Sequence, residues 1–345
     1  TLEQLAEHGL RYTVLSPHQA SRVRVIGDSD EDWTDVRGGI IDPSRAYKAW
    51  LPSGREFSLF FYDGPISHAV AFEGLMDRRG RFAHRLLEGF HVDRTWPQLV
   101  HVATDGETYG HHQKHGERGL ALALEWLQGH TDVRLTNYGE FLERHQPTHE
   151  ALILQNTAWS CAHGLERWRS DCGCSGGRAG WNQKWRGPLR EALDGLRDGI
   201  APRFEEEGGR LFRDPWAARD GYIDVLLDRD PAAFDGFLER HELRSLSRGE
   251  RVQARRLLEM QRFALLMYTS CGWFFDDISG IETVQILQYA GRALQLAEEA
   301  FGKSFDDEFR LKLAEAESNE PDVRDGRRVF EALMGGATRL AGAAG

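Results

Sequence analysis

Leu99-Val100-His101-Val102-Ala103-Thr104-Asp105-Gly106-Glu107-Thr108-Tyr109-Gly110-His111-His112 is the stretch on which the fold turns. It starts as an apolar run rich in Val, passes into an acidic turn containing glycine, and leads to residues 116–128, where apolar side chains recur at three and four. A strand that ends in such a turn and opens a helix is the repeating unit of a parallel α/β sheet or barrel, and the carboxyl ends of those strands carry active sites. Outward from this unit, residues 12–15, 57–62 and 133–135 read as further strands and residues 72–89 as a helical stretch. Residues 47–51, bounded by the turn chemistry of Gly38, Gly39, Pro43 and Pro52-Ser53-Gly54, read as an extended antiparallel decoration. From about residue 188 the period is helical almost throughout, with helices expected at 189–204, 232–241, 247–267, 283–301 and 305–316.

The chain has 345 residues and sets 43 Lys and Arg against 54 Asp and Glu, a formal net charge of −11. That acidic balance argues against a nucleic-acid partner. The length predicts two domains, and a hydrophobic content of 41% suffices for a sizeable core and excludes intrinsic disorder. No run approaches the roughly 18 apolar residues of a membrane helix. Residues 1–10 have neither the basic flank nor the apolar stretch of a signal peptide. No membrane partner is expected, and the cytoplasm is the expected compartment. Cys161, Cys172, Cys174 and Cys271 are too few to staple a chain of this size, so they read as reduced thiols or as a local metal or redox site.

Three constellations could carry chemistry. In the first, Asp105 and Glu107 are the acid/base candidates, since burial or a second carboxylate can raise the pKa of a carboxylic acid until it donates a proton near neutrality. The competing reading is that Asp105 caps the helix that follows. His111, His112 and His115 share helical faces and invite a metal reading, although the spacing is generic and substrate hydrogen bonding suits one imidazole better. The second constellation, in an aperiodic loop, holds Trp159, Cys161, His163, Trp168, Cys172, Cys174, Trp181 and Trp185. Thiolates with an imidazole could hold zinc or iron–sulfur, but Cys-x-Cys is tighter than the usual zinc spacing, so no metal or other cofactor is expected. Aromatic faces beside a carboxylate suit the stacking of sugar rings. The third, from Met267 to Thr283, breaks two long helices with Trp273, Phe274, Phe275, Asp276 and Asp277 and reads either as one wall of a cleft or as an apolar plug capped by Asp277 or Ser279.

Taken in this order, the clusters resemble glycoside hydrolase family 57, and most closely its α-amylase/α-mannosidase-like branch with an uncharacterised C-terminal extension. Asp105-Gly106-Glu107-Thr108-Tyr109-Gly110-His111 is similar to the family's Asp-x-Glu-x-aromatic-Gly motif, whose first Asp is the general acid/base. Trp159-Ser160 with Gly164 and Trp168 resembles its Trp-Gly-x-Gly-Gly loop, with Ser160 and His163 departing from it. Ser270 to Phe275, with Tyr289-Ala290 and Arg292, resembles its Ser-Asp-Trp segment followed by Tyr-Ala and Arg. Ser16-Pro17-His18-Gln19-Ala20 and Tyr62-Asp63-Gly64-Pro65-Ile66-Ser67 look like two earlier barrel strand ends that face the sugar.

The resemblance implies an α/β fold, part of an incomplete (β/α) barrel followed by a mainly helical domain. The expected divisions are 1–150 for the partial barrel, 151–187 for the Trp/Cys-rich cleft loop, 188–335 for the helical domain and 336–345 for a flexible tail. It implies a retaining glycoside hydrolase or glucanotransferase acting on α-glucans, with Asp105 catalytic. His18, Asp63, Glu107, His111, His112, Trp159, His163, Trp168, Trp273 and Asp276 would bind substrate. The family's nucleophile, the Glu of a Trp-Leu-Pro-Glu motif, has no counterpart. Trp50-Leu51-Pro52 is followed by Ser53 and reads as a turn. The chain is therefore expected to be the C-terminal portion of a longer enzyme, whose upstream segment completes the barrel. The alternatives are a non-catalytic carbohydrate-binding module and a metal-dependent hydrolase using the His and Cys clusters.

Overall fold

The computed structural model of the protein describes residues 1–77, 80–228 and 230–342. They fall into two compact units, Thr1–Ala162 and His163–Gly345.

In the first unit, β1 (Tyr12–Leu15), β2 (Ala20–Val25), β3 (Thr34–Asp35), β4 (Tyr47–Trp50), β5 (Glu56–Phe61) and β6 (His149–Ile153) form one sheet in the order β1-β5-β4-β6-β2-β3. β1 runs parallel to β5 and β4 parallel to β6, while the other pairs are antiparallel, so the sheet is mixed and open. β5 is buried on both faces. Phe57, Leu59 and Phe61 join Tyr47, Ala49 and Ala151 in one cluster, and Phe60 joins Ala46 and Phe141 in another. This is why its sequence is a nearly unbroken apolar run rather than an alternation. A third cluster, built on Ile66, Val70, Phe82, Ala123 and Leu127, joins the helices Gly64–Phe72, Arg81–Leu87 and Gly116–Gln128.

Where the sequence predicts strands at 99–103 and 133–135, no ladder forms. Alternation at 99–103 is nonetheless real, because Val100 and Val102 pack on the helix cluster while Leu99 packs on that of Phe60. Its backbone partners are scattered: Leu99 N donates to Ser44 O at 2.8 Å, His101 O accepts from Asp63 N at 3.0 Å, and Ala103 N donates to Ser67 Oγ at 3.1 Å. The stretch 72–89 is broken after Phe72 at Glu73 and Gly74, the latter with φ +62°, and residues 78 and 79 lie outside the described residues. The turn at Leu51 is closed by Gly54 N donating to Leu51 O.

The second unit begins with an irregular loop and continues as helices. Helix Arg186–Gly208 presents Leu189, Leu193, Leu196, Ile200 and Phe204 on one buried stripe with the period of three and four. Helices Arg248–Leu266 and Ile281–Phe301 pack along each other, the first opened by a capping box in which Ser247 and Glu250 satisfy each other's backbone N–H groups. The break between them is pinned by Asp277, a buried carboxylate accepting from Ser279 N, Ser279 Oγ, Ser318 Oγ and Asn319 N at 2.6–2.9 Å. The tail expected at 336–345 is helical as far as Gly342, within Gly326–Gly342, and residues 343–345 lie outside the described residues. No helix among the described residues is long and apolar enough to cross a membrane.

His101 clamps the segment that leads to the acidic turn. Its Nε2–H donates to Pro43 O at 3.2 Å, and its Nδ1 accepts from the Tyr138 hydroxyl at 3.0 Å. Burial, only partly opposed by the Pro43 carbonyl and Asp63, pushes the imidazole down to about 4. An unfolded His titrates near 6.5, so between about pH 6.5 and 4 the unfolded chain takes up a proton that the folded one refuses. The stabilisation is thus complete above pH 6.5 and is lost as the pH falls toward 4, by about 3 kcal/mol. Urea unfolding from pH 7 to pH 4 should record this loss, and His101→Gln should flatten its share of the slope. An unchanged slope in that variant would assign the acid sensitivity to other groups.

Candidate active site

A cleft of about 980 Å³ opens in the first unit, lined by residues that directly follow β1, β5 and β6 together with the end of the 99–103 segment. The loop after β1 contributes Ser16 to Gln19. Gln19 accepts from Ser16 N at 3.1 Å through Oε1 and donates through Nε2 to Thr157 O and Oγ1, tying it to the loop after β6 that carries Trp159. Trp159 is 60% exposed and lines the cleft. Across from it in the chain, Tyr62, His68 and Phe72 add further ring surface, with Phe72 78% exposed.

His18 lies against Gly39. A Cβ at Gly39 would sit 2.9 Å from His18 Cε1, and its φ of +82° disfavours any L side chain. The Gly38-Gly39 turn is therefore shaped around this ring. Gly38 has the same φ and no atom within 4 Å of such a Cβ.

The acidic turn is held by bonds that leave Asp105 alone. Tyr109 and Thr104 share a hydroxyl bond of 2.8 Å. Gln113 Nε2 donates to the carbonyls of Val70 and Ala71 at the end of helix Gly64–Phe72. His111 N and His112 N both donate to Glu107 O. The Asp105 side chain makes no capping bond to the turn Gly106–Thr108, so the capping explanation of its presence fails, and it reaches the cleft exposed. Asp63 is the opposite case. Its Oδ1 accepts from Ile66 N at 2.8 Å, which caps helix Gly64–Phe72, and its backbone carbonyl accepts from Ser67 Oγ at 2.6 Å. Among the described residues Asp105 is the sole carboxylate lining the cleft.

The candidate residues thus separate. His18, Asp105 and Trp159 share one cleft. Asp63 sits beside it as a helix cap. Glu107, His111 and His112 are exposed on the turn without lining it, and the three histidines form no group of three or more metal ligands among the described residues. The remaining four lie in the second unit. Trp273 is 1% exposed, with its Nε1 donating to Arg186 O at 3.3 Å, and so is a core residue. Trp168 Nε1 donates to Ser270 O at 3.1 Å, and the Asp276 carboxylate accepts from Gly176 N, so both anchor the loop that precedes helix Arg186–Gly208. His163 lies with Cys172 and Cys174, their ligand atoms all within 4.8 Å of one another. Phe72, His68 and Gly39 were not singled out as site residues. The break at Glu73 and Gly74 directly after an aromatic residue was the available signal for Phe72, whereas the Gly39–His18 contact has no local signature.

The fold is an α/β unit on an open mixed sheet with a helical unit, and it resembles part of an amylase. A family model described as a domain of unknown function, DUF3536, matches residues 181–340. None of the curated proteins matches the chain. Among solved structures, a novel exo-type maltose-forming amylase from Pyrococcus sp. ST04 aligns with a TM-score of 0.56 at 16% identity, over 88% of this chain and 54% of the amylase chain. This chain therefore spans about half the length of that amylase.

Substituting the two glycines separately isolates the His18 contact. Gly38→Ala should cost only the positive-φ penalty of about 1 kcal/mol, and Gly39→Ala about 1 kcal/mol more. Only the second should shift the His18 imidazole resonances in NMR spectra; equal effects of the two would mean that the ring is not held by Gly39.

Proposed function

We propose that the cleft of the first unit binds an α-glucan or a related oligosaccharide and that Asp105 is the general acid/base of a retaining glycoside hydrolase or glucanotransferase of the family 57 type. The observation that carries this reading is Asp105 itself: a carboxylate at the end of an apolar segment, relieved of capping duty and facing a cleft that also exposes Trp159. A pyranose ring stacked on the indole would put its glycosidic oxygen within reach of an acid on the same cleft. In this scheme Asp105 gives its proton to the leaving oxygen as the anomeric carbon is attacked, then takes a proton from the water or glucan hydroxyl that releases the glycosyl group. His18 and Trp159 are assigned to sugar contact, and Glu107, His111 and His112 to sugars further along a longer chain.

Retaining cleavage needs a second carboxylate about 5–5.5 Å from the first. Since Asp105 is the sole carboxylate lining the cleft among the described residues and Asp63 is committed to its helix, we assign the nucleophile to residues outside this chain. The same observation favours a second reading, in which the cleft binds carbohydrate without cleaving it.

Calorimetric titration of this chain with malto-oligosaccharides tests binding. Trp159→Ala should weaken it about tenfold, whereas Asp105→Asn should leave it nearly unchanged. In the complete enzyme Asp105→Asn should lower turnover by about two orders of magnitude or more. Absence of binding by the unsubstituted chain would remove the carbohydrate reading. Binding with full activity in the Asn variant would keep the ligand but take Asp105 out of the chemistry.

A further inference from the structure

We propose that a groove of the second unit, lined by helices Pro231–His241, Arg248–Leu266 and Ile281–Phe301, binds a nucleoside diphosphate or triphosphate through a row of arginines. The groove holds about 490 Å³ and sets five arginines, Arg248, Arg251, Arg255, Arg256 and Arg292, against three carboxylates, Asp235, Glu259 and Glu299. A surplus of two positive charges thus gathers at one place on a chain whose net charge is −11.

The ion pairs show which arginines carry the surplus. Asp235 pairs with Arg251, and Glu299 is shared by Arg256 at 3.0 Å and Arg292 at 4.0 Å. Glu259, one turn along from Arg255, accepts from Arg262 at 2.9 Å and from the Tyr222 hydroxyl at 2.7 Å. Arg248 and Arg255 form no salt bridge among the described residues. Both are exposed, and Arg255 lies over the Phe234 ring at 4.2 Å.

Spacing supplies an independent argument. Arg248, Arg251 and Arg255 fall three and four residues apart, on one face of helix Arg248–Leu266. Like charges at that spacing destabilise a helix, and Arg248, in the first turn, also opposes the positive end of the helix dipole. A bound polyanion removes both penalties. From Arg248 to Arg255 the row rises about 10 Å along the axis. A single phosphate presents its oxygens around one centre and meets only part of such a row, whereas successive phosphates follow it. Guanidinium groups match phosphate oxygens two at a time and also stack on planar rings. Beside the row, Val252, 54% exposed, and the partly buried Phe263 offer apolar surface to the nucleoside. The groove lies wholly in the second unit, and the glucan reading of the first has no part in it.

The test is calorimetric titration of the whole chain with ATP, UTP, tripolyphosphate and inorganic phosphate in magnesium-free buffer of low salt. At least one of the two nucleotides should bind, inorganic phosphate should bind at least tenfold more weakly, and affinity should fall as salt rises. Arg248→Gln and Arg255→Gln should each weaken nucleotide binding about tenfold. Arg203→Gln, whose side chain pairs with Glu206 outside the groove, should leave it unchanged. Should a variant not fold, the unsubstituted chain decides alone. No heat and no shift in its melting temperature with millimolar ATP or UTP would overturn the site. So would nucleotide binding that survives both substitutions, or inorganic phosphate bound as tightly as the nucleotides. Tripolyphosphate bound as tightly as ATP and UTP would overturn the nucleoside assignment.

Discussion

A neutral, buried imidazole holds the candidate site of the first unit in register. His101 spans the Pro43 carbonyl and the Tyr138 hydroxyl through its ring and accepts Asp63 N–H through its backbone. Those bonds fix the approach to the acidic turn where a ladder of strand hydrogen bonds is missing. From Asp63 the connection continues through the Ser67 hydroxyl, which donates to Asp63 O and accepts from Ala103 N, two residues before Asp105. Asp63 is consumed by the fold as a cap, and Asp105 is left for chemistry because the turn's own polar groups are satisfied by Thr104, Tyr109 and Gln113. Two carboxylates of similar sequence setting thus have separate uses, decided by which one finds a helix N-terminus to cap.

The second unit depends on buried charge at the edge of its helical core. Asp277 gathers four donors from the helix break and from the Ser318-Asn319 segment. Arg186 gathers carbonyls from the same break and from the cysteine turn. Aromatic residues complete the anchorage, with Trp185 Nε1 donating to Asp276 O and Arg167 set over the Phe274 ring at 4.4 Å. A loop this poor in regular structure cannot be fixed by apolar burial alone, and its order comes from polar and charged contacts whose partners sit about a hundred residues away in sequence.

Legibility followed the range of the signal. Five helices of the second half were readable because each buries apolar residues at the spacing of three and four, and 116–128 matched Gly116–Gln128 for the same reason, whereas Pro215–Gly221, Ile223–Leu227, which buries no residue, and Gly326–Gly342 were not. β1, β4 and β5 were visible from aromatic and β-branched runs, whereas β2 and β6 were not, since Arg22, Arg24, His149 and Glu150 put polar residues into strands that pair with each other. The apolar run at 99–103 reads as a strand, but its side chains pack on two clusters without a ladder. In the site, Asp105 was legible as a motif, but its freedom from capping was not. Trp273 had the composition of a sugar platform, and only the buried position of its indole distinguishes it from one. The approach of Cys172, Cys174 and His163 was not legible, because sequence separation says nothing about a left-handed turn at Gly173.

The most direct measurement is a crystal structure of this chain soaked with a malto-oligosaccharide. The expected result is a glucosyl ring stacked on Trp159 with a glycosidic oxygen within hydrogen-bond reach of the Asp105 carboxylate. Sugar bound elsewhere on the chain with the cleft of the first unit empty, or sugar in the cleft with Asp105 turned away from every glycosidic oxygen, would contradict the account.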